Sequence, residues 1–148
     1  MQNEEMYFEA VVGSDFPKKV VQLINEAKKS VKIIVFDWRW YPSDLGGVCQ
    51  LFNQSIISCA RRNVPVNVMT NASDVIKILN ENKVKAKKPE SKRLLHSKLM
   101  IIDDEIVIIG SHNYTQNAFA RNQEISVIIK AKNQLDRFVH YFDSIWRS

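Results

Sequence analysis

The 148 residues are enough for one domain, spanning 1–148, with a hydrophobic core that needs neither disulfides nor a structural metal. At 45% hydrophobic and 25% charged the composition is that of an ordinary soluble globular domain, and no apolar run comes near the roughly 18 residues of a membrane-spanning helix. Lys and Arg number 21 against 16 Asp and Glu, a formal +5 that favours polyanionic partners without naming one.

The opening Met1-Gln2-Asn3-Glu4-Glu5 is acidic and lacks the basic-then-apolar pattern of a secretory signal, so a cytoplasmic location is expected. Tyr7 to Val12 reads as a first strand. A helix follows near Asp15, a candidate N-cap, with Pro17 in its first turn and Val20, Ile24 and Ala27 on one face. Val31 to Phe36 is nearly continuous apolar sequence, as in a parallel strand covered on both faces. Asp44 to Arg62 predicts a second helix, with Val48, Phe52, Ile56 and Cys59 at helical spacing. Its two cysteines, Cys49 and Cys59, are roughly 15 Å apart at about 1.5 Å per residue, too far for a disulfide, and read as apolar filler.

Pro65 to Thr70 predicts a third strand, and Ser73 can cap a short helix reaching about Asn82. Val84 to Lys87 predicts a short strand whose alternating lysines suit a sheet edge. Ser97 to Ile102 and Ile106 to Ile109 predict a hairpin turning at Asp103-Asp104-Glu105. A loop or short helix over Tyr114 to Arg121, a strand from Ile125 to Ile129 and a last helix from Asn133 complete the chain. That helix carries Leu135, Phe138, Val139, Phe142 and Trp146 along one stripe. The expected fold class is α/β, a mixed β-sheet flanked by helices on both faces.

Chemistry concentrates in one stretch. From His96 to Asn113 the pattern is HxK(x4)D(x6)GSxN, carried by His96, Lys98, Asp103, Gly110, Ser111 and Asn113. These six fixed positions, each matched by chance about once in 20, make coincidence in one short chain very improbable. Side chains in a strand repeat every two residues, so His96 and Lys98 share a face, and Ser111 and Asn113 have the same spacing beyond the partner strand. Folding the hairpin can therefore gather an imidazole, an ammonium, a hydroxyl and an amide. An imidazole is a nucleophile, and the other three supply donors to phosphate oxygens. Asp103 lies an odd number of residues from Lys98, at the turn, and reads as structural, fixing the hairpin through bonds to backbone.

This stretch resembles the HKD motif of the phospholipase D superfamily. The continuation Asn113-Tyr114-Thr115, followed by Asn122-Gln123-Glu124, looks most like its small bacterial nuclease branch. The resemblance implies that His96 attacks phosphorus to form a phosphohistidine, that Lys98 and Asn113 bind the phosphate, and that Glu124 orients a histidine. Full active sites in that family need two copies of the motif. One copy per chain therefore implies a homodimer with two His96 side chains facing across a two-fold axis, one attacking and the other protonating the leaving oxygen. No metal or other cofactor is expected, since the chain has no HExxH, HxH or Cys/His cluster. His112, at the variable position of GSxN, and His140, on the polar side of the last helix, read as incidental.

The substrate follows less directly. Lys83, Lys85, Lys87, Lys88, Lys92, Arg93 and Lys98 form a basic run into the nucleophile. Its loop part, Lys87, Lys88, Lys92 and Arg93, is expected at the mouth of the site, which favours DNA or RNA; the alternative is a solvated edge strand and loop. Trp38, Arg39 and Trp40, with Tyr41, follow the central strand, where loops of open α/β sheets carry binding residues. They could stack on unpaired bases, or Trp38 could be core and the rest a dimer contact. No amphipathic membrane-binding segment is visible, so no stable membrane association is expected. The leading expectation is a metal-independent endonuclease. Phospholipase D or phosphatidyl-transfer activity on lipid is one alternative, and a non-catalytic nucleic-acid-binding or dimerisation module is another.

Overall fold

The protein is described here from a computed structural model covering residues 5–148, so the sequence reading of Met1 to Glu4 lies outside the described residues. Along the chain come β1 (Tyr7–Val12), α1 (Asp15–Asn25), β2 (Val31–Val35), α2 (Val48–Arg61), β3 (Val66–Thr70) and α3 (Ser73–Glu81). β4 (Lys85–Lys87), β5 (Leu99–Ile102), β6 (Ile106–Gly110), α4 (Gln116–Ala120), β7 (Ile125–Lys130) and α5 (Asp136–Arg147) follow. The seven strands form one mixed sheet in the order β1-β7-β6-β5-β2-β3-β4. β2, β3 and β4 run parallel, β5 returns antiparallel to β2, and β6, β7 and β1 continue antiparallel.

Two cores sandwich the sheet because alternate side chains leave a strand on opposite faces. Met100 and Ile102 of β5 join Val20 and Ile24 of α1 and Phe52 and Ile56 of α2 in the larger core, which α3 and α4 also enter. Leu99 and Ile101 point the other way, against Leu135 and Phe142 under α5. Helices therefore lie on both faces, as expected, but among the described residues α5 alone serves the second, and that face is otherwise bare of them. Phe8, Ala10 and Val12 of β1 and Ile125 of β7 point there, and Phe8, Val12 and Ile125 are 60%, 56% and 58% exposed. Antiparallel strands with a solvated face ordinarily alternate apolar with polar residues, and these do not.

Several boundaries differ from the sequence reading. α2 starts at Val48 rather than Asp44, because Asp44 accepts from Gly47 N–H in a turn and extended Gly47 forms the N-cap. α5 starts at Asp136 rather than Asn133. Ser14 and Ala72, rather than Asp15 and Ser73, occupy the N-cap positions of α1 and α3, without side-chain capping bonds. Thr115 does cap, its hydroxyl accepting from Ala118 N–H at 3.1 Å. β5 starts at Leu99 rather than Ser97, so His96 and Lys98 precede the ladder.

The β5–β6 hairpin forms as expected. Asp103 and Asp104 at its turn have φ of 56° and 54°, the left-handed conformation Asp tolerates. Asp103 does more than shape the hairpin. Its carboxylate accepts from the backbone N–H groups of Lys28, Lys29 and Ser30 at 2.6–3.1 Å, pinning the turn to the α1–β2 connection. Cys49 and Cys59 are buried free thiols, and burial pushes the Cys49 thiol up to about 12, which suits the role of filler. Among the described residues no helix is long and apolar enough to cross a membrane.

Candidate active site

The strand directions bring the motif to one end of the sheet. β2 ends there and leads into Phe36 to Tyr41; β5, antiparallel to it, begins there after His96 and Lys98. β6 ends there at Gly110, and β7 begins there after Glu124. Residues far apart in sequence thus surround one spot because neighbouring strands alternate direction.

His96 is exposed, with its ring tilted against Phe36 at a centroid distance of 5.0 Å. The Lys98 ammonium lies 3.2 Å from His96 Nδ1 and donates to the His96 carbonyl at 3.1 Å. An ammonium can only donate, so in the isolated chain it faces the Nδ1 lone pair and leaves the proton of a neutral ring to Nε2. Asn113 is half-buried, and its Oδ1 accepts from Asp37 N–H at 3.1 Å. That bond fixes the amide and leaves Nδ2 with its donors free among the described residues.

Ser111 and Glu124 are bonded to each other. The Ser111 hydroxyl donates to Glu124 Oε1 at 2.7 Å and accepts from Ile125 N–H at 3.0 Å. Its one proton is thereby committed, so Ser111 positions Glu124 instead of meeting phosphate. Asn122 Nδ2 holds the other Glu124 oxygen at 3.2 Å. No hydrogen bond joins Glu124 to His96 of the same chain. Gly110 is required by close approach: a Cβ there would fall 2.3 Å from Ser126 Oγ and 2.4 Å from Ser126 Cα on β7.

His112 is buried, stacked on Phe16 at 4.3 Å, and bonded at Nδ1 to Ser126 Oγ and at Nε2 to the Gly13 carbonyl. Burial holds its imidazole below the ordinary range. It clamps the end of β1 to β7 behind the site; His140 is exposed on α5.

The substrate-facing candidates divide. Trp38 takes the core reading and not the base-stacking one: it is fully buried, with Nε1 donating to Asn53 Oδ1 at 2.7 Å, so it offers no stacking face. Trp40 is half-buried against the larger core. Lys87 is committed to the end of α5, its ammonium donating to the Trp146 carbonyl and lying 4.4 Å over that indole ring. Lys88, Lys92 and Arg93 remain exposed before His96, without ion pairs among the described residues. Arg39 is also exposed, its Nε paired with Asp37 Oδ1 at 3.1 Å.

Sequence reasoning missed the support beneath this loop. Asn53 donates to the Arg39 carbonyl at 3.0 Å, and Gln50 accepts from Tyr41 N–H at 2.8 Å. Both amides are buried on α2. The available signal was two polar residues at i, i+3 spacing beside an otherwise apolar stripe. Asp37 and Arg121 gave no comparable signal.

The family described as "Cardiolipin synthase, PLD-like domain" matches residues 20–146, nearly the whole chain. The chain belongs to the phospholipase D superfamily. Among solved structures, NucT from Helicobacter pylori is 21% identical with a TM-score of 0.81, the match covering 97% of this chain and 98% of that one. The phospholipase D family member Nuc from Salmonella typhimurium is 19% identical with a TM-score of 0.79, covering 97% and 95%. Mitochondrial cardiolipin hydrolase of Canis lupus familiaris is 24% identical over 140 residues, 90% of this chain and 52% of the relative. The chain thus spans about half the length of the curated relatives it matches. Within a phospholipase D-like fold, His96, Lys98, Asn113 and Glu124 occupy one end of the sheet, the histidine exposed and the others half-buried.

Proposed function

We propose that this phospholipase D superfamily protein is a phosphodiesterase that cleaves nucleic acid through a phosphohistidine at His96, in a site completed by a second copy of the chain. The observation that carries the reading is the pairing of an exposed imidazole with Lys98 at 3.2 Å, beside an Asn113 amide whose donors are free. His96 Nε2 attacks phosphorus in line and a P–O bond breaks. The leaving oxygen takes its proton from the second copy's His96, and Lys98 and Asn113 hold the non-bridging oxygens. The same second histidine then deprotonates a water, which attacks the phosphohistidine and releases the phosphorylated end. Exposed Lys88, Lys92 and Arg93, on the segment that leads into His96, favour a polyanionic strand as substrate.

Two features support the second copy. Glu124 is held rigidly by Ser111 and Asn122 yet bonds no histidine of its own chain, so its remaining lone pairs suit the second copy's His96. Accepting from Nδ1–H there would displace the lysine contact and free Nε2 to attack. The apolar face carrying Val12 and Ile125 starts next to Glu124 and is a surface that a second copy would cover.

Cleavage of single- and double-stranded DNA and RNA in excess EDTA, comparing native protein with His96→Ala, tests the chemistry. Turnover that vanishes in the variant supports it; equal cleavage by both, or binding without turnover, overturns it. Light scattering tests the dimer, which Val12→Asp is expected to dissociate. A strictly monomeric native protein with full turnover sinks the shared site.

Lipid phosphodiester hydrolysis is the second reading. It is favoured by the name of the cardiolipin hydrolase relatives and by Leu94, 68% exposed beside Lys92 and Arg93. Conversion of cardiolipin in vesicles to phosphatidate and phosphatidylglycerol, with nucleic acid left intact, would select it.

A further inference from the structure

A polar groove of about 450 Å³ opens beside the site, lined by Asp37, Arg39, Tyr41, Gln116, Asn117 and Arg121. We infer that it is a binding subsite for a second phosphodiester, the one adjacent to the bond being cleaved. The inference rests on the reading of the His96 centre as a phosphodiesterase.

Position comes first. Asp37 lines the groove and its N–H holds Asn113 Oδ1 at 3.1 Å, so the wall of the groove is one residue from the amide that would bind the scissile phosphate. Gln116 and Asn117 follow Asn113 by a few residues, and Arg121 precedes Glu124 by three. A ligand extending past Asn113 on this side enters the groove directly.

Charge comes second. The Arg39 side chain is 64% exposed and uses only Nε on Asp37, leaving its terminal nitrogens free. Arg121 is exposed and has no ion pair among the described residues. Two guanidinium groups against one carboxylate leave the groove net positive, and their planar forks match phosphate oxygens.

Rigidity comes third, and separates this groove from the Lys88–Arg93 rim. Arg39 N–H donates to the Tyr114 carbonyl at 2.9 Å, and the Arg39 carbonyl accepts from buried Asn53. The Tyr41 hydroxyl accepts from Gln116 N–H at 2.8 Å, tying the two walls together. Burying Gln50 and Asn53 costs solvation that their bond to each other and their bonds to the loop carrying Trp38, Arg39 and Tyr41 recover. A loop held this firmly can present a cation with little further loss of freedom on binding.

A second phosphodiester one unit away occurs in a nucleic-acid strand and also in cardiolipin, so the test uses both. Native protein and Arg39→Ala/Arg121→Ala are compared on bis(p-nitrophenyl) phosphate, which has one phosphodiester, on a short single-stranded oligonucleotide, and on cardiolipin vesicles. The expected result is a roughly tenfold fall in the kcat/KM ratio of the multi-phosphate substrate over the single-phosphate one, expressed in KM. Whether the loss appears on oligonucleotide or on cardiolipin identifies the source of the second phosphate. An unchanged ratio on both overturns the subsite while leaving the phosphodiesterase reading intact. If native protein turns over none of the three, that reading fails. The subsite is then judged by fluorescence anisotropy of a labelled oligonucleotide with His96→Ala, where removing both arginines must weaken binding about tenfold and equal affinity overturns it. Arg39→Lys/Arg121→Lys, which keeps the charge but not the fork, is expected to fall between.

Discussion

Replacing Asp103 should cost stability and spare turnover, although it is one of the three residues that define the motif. Its carboxylate accepts from three backbone N–H groups of the α1–β2 connection at 2.6–3.1 Å. A hydrogen bond to a charged acceptor contributes about 1.5–3 kcal/mol, but the Lys28 and Lys29 N–H groups are exposed and regain water when the acceptor goes. Only the part-buried Ser30 N–H loses a full partner, so the bonds together should contribute about 2 kcal/mol. Asp103 also has φ of 56°, where Ala is strained by about 1 kcal/mol more than Asp. Asp103→Ala should therefore lower stability by about 3 kcal/mol, and Asp103→Asn, which keeps an acceptor and tolerates this conformation, by about 1–2 kcal/mol. Urea unfolding at neutral pH reads both values. Steady-state turnover, corrected for the folded fraction, should stay within about twofold of native, since the side chain faces away from His96. A hundredfold loss of turnover with an unchanged urea midpoint would refute the reasoning and give Asp103 a chemical role.

Gly110→Ala should destabilise by about 3 kcal/mol or more, because the new methyl would meet the β7 backbone, which cannot move aside as a side-chain tip can; an unchanged melting temperature would show that β6 and β7 can separate freely. Trp38→Phe leaves buried Asn53 Oδ1 without its donor and should cost about 1–3 kcal/mol in thermal or urea unfolding, whereas a neutral result would mean water replaces the indole. Burial holds His112 below its ordinary 6.5, so on acidification the unfolded chain takes up this proton before the folded one. The stability contributed by neutral His112 is complete above that value and declines as pH falls from it toward the folded pKa. Urea midpoints at mildly alkaline and mildly acidic pH should diverge less in His112→Gln than in native protein, and equal divergence would place the titration elsewhere.

The sequence was most informative where the governing interactions are local. Continuous apolar runs located β5 and β6, the pair of aspartates marked their turn, and the spacing of His96, Lys98, Ser111 and Asn113 gave the side chains that gather at one end of the sheet. It was less informative where a residue's partner lies far along the chain. Asp103 was legible as structural, but not its bonds to Lys28, Lys29 and Ser30, about 75 positions away. Trp38 and Arg39 are neighbours with the same apparent promise, yet one is core and the other is open to solvent. Lys87 belongs to a basic run in sequence and to Trp146 in space. Ser111 looks like a phosphate donor until Glu124, 13 residues on, takes its only proton.

What the sequence determined alone was the chemical inventory of the site and the hairpin that carries half of it, because strand periodicity and turn preference act over a few residues and are written in their order. What the tertiary structure decided was which of those groups stay free to meet a substrate. That depends on burial and hydrogen-bond competition between segments brought together only when the sheet orders its strands, and neither is encoded in the spacing of any one segment.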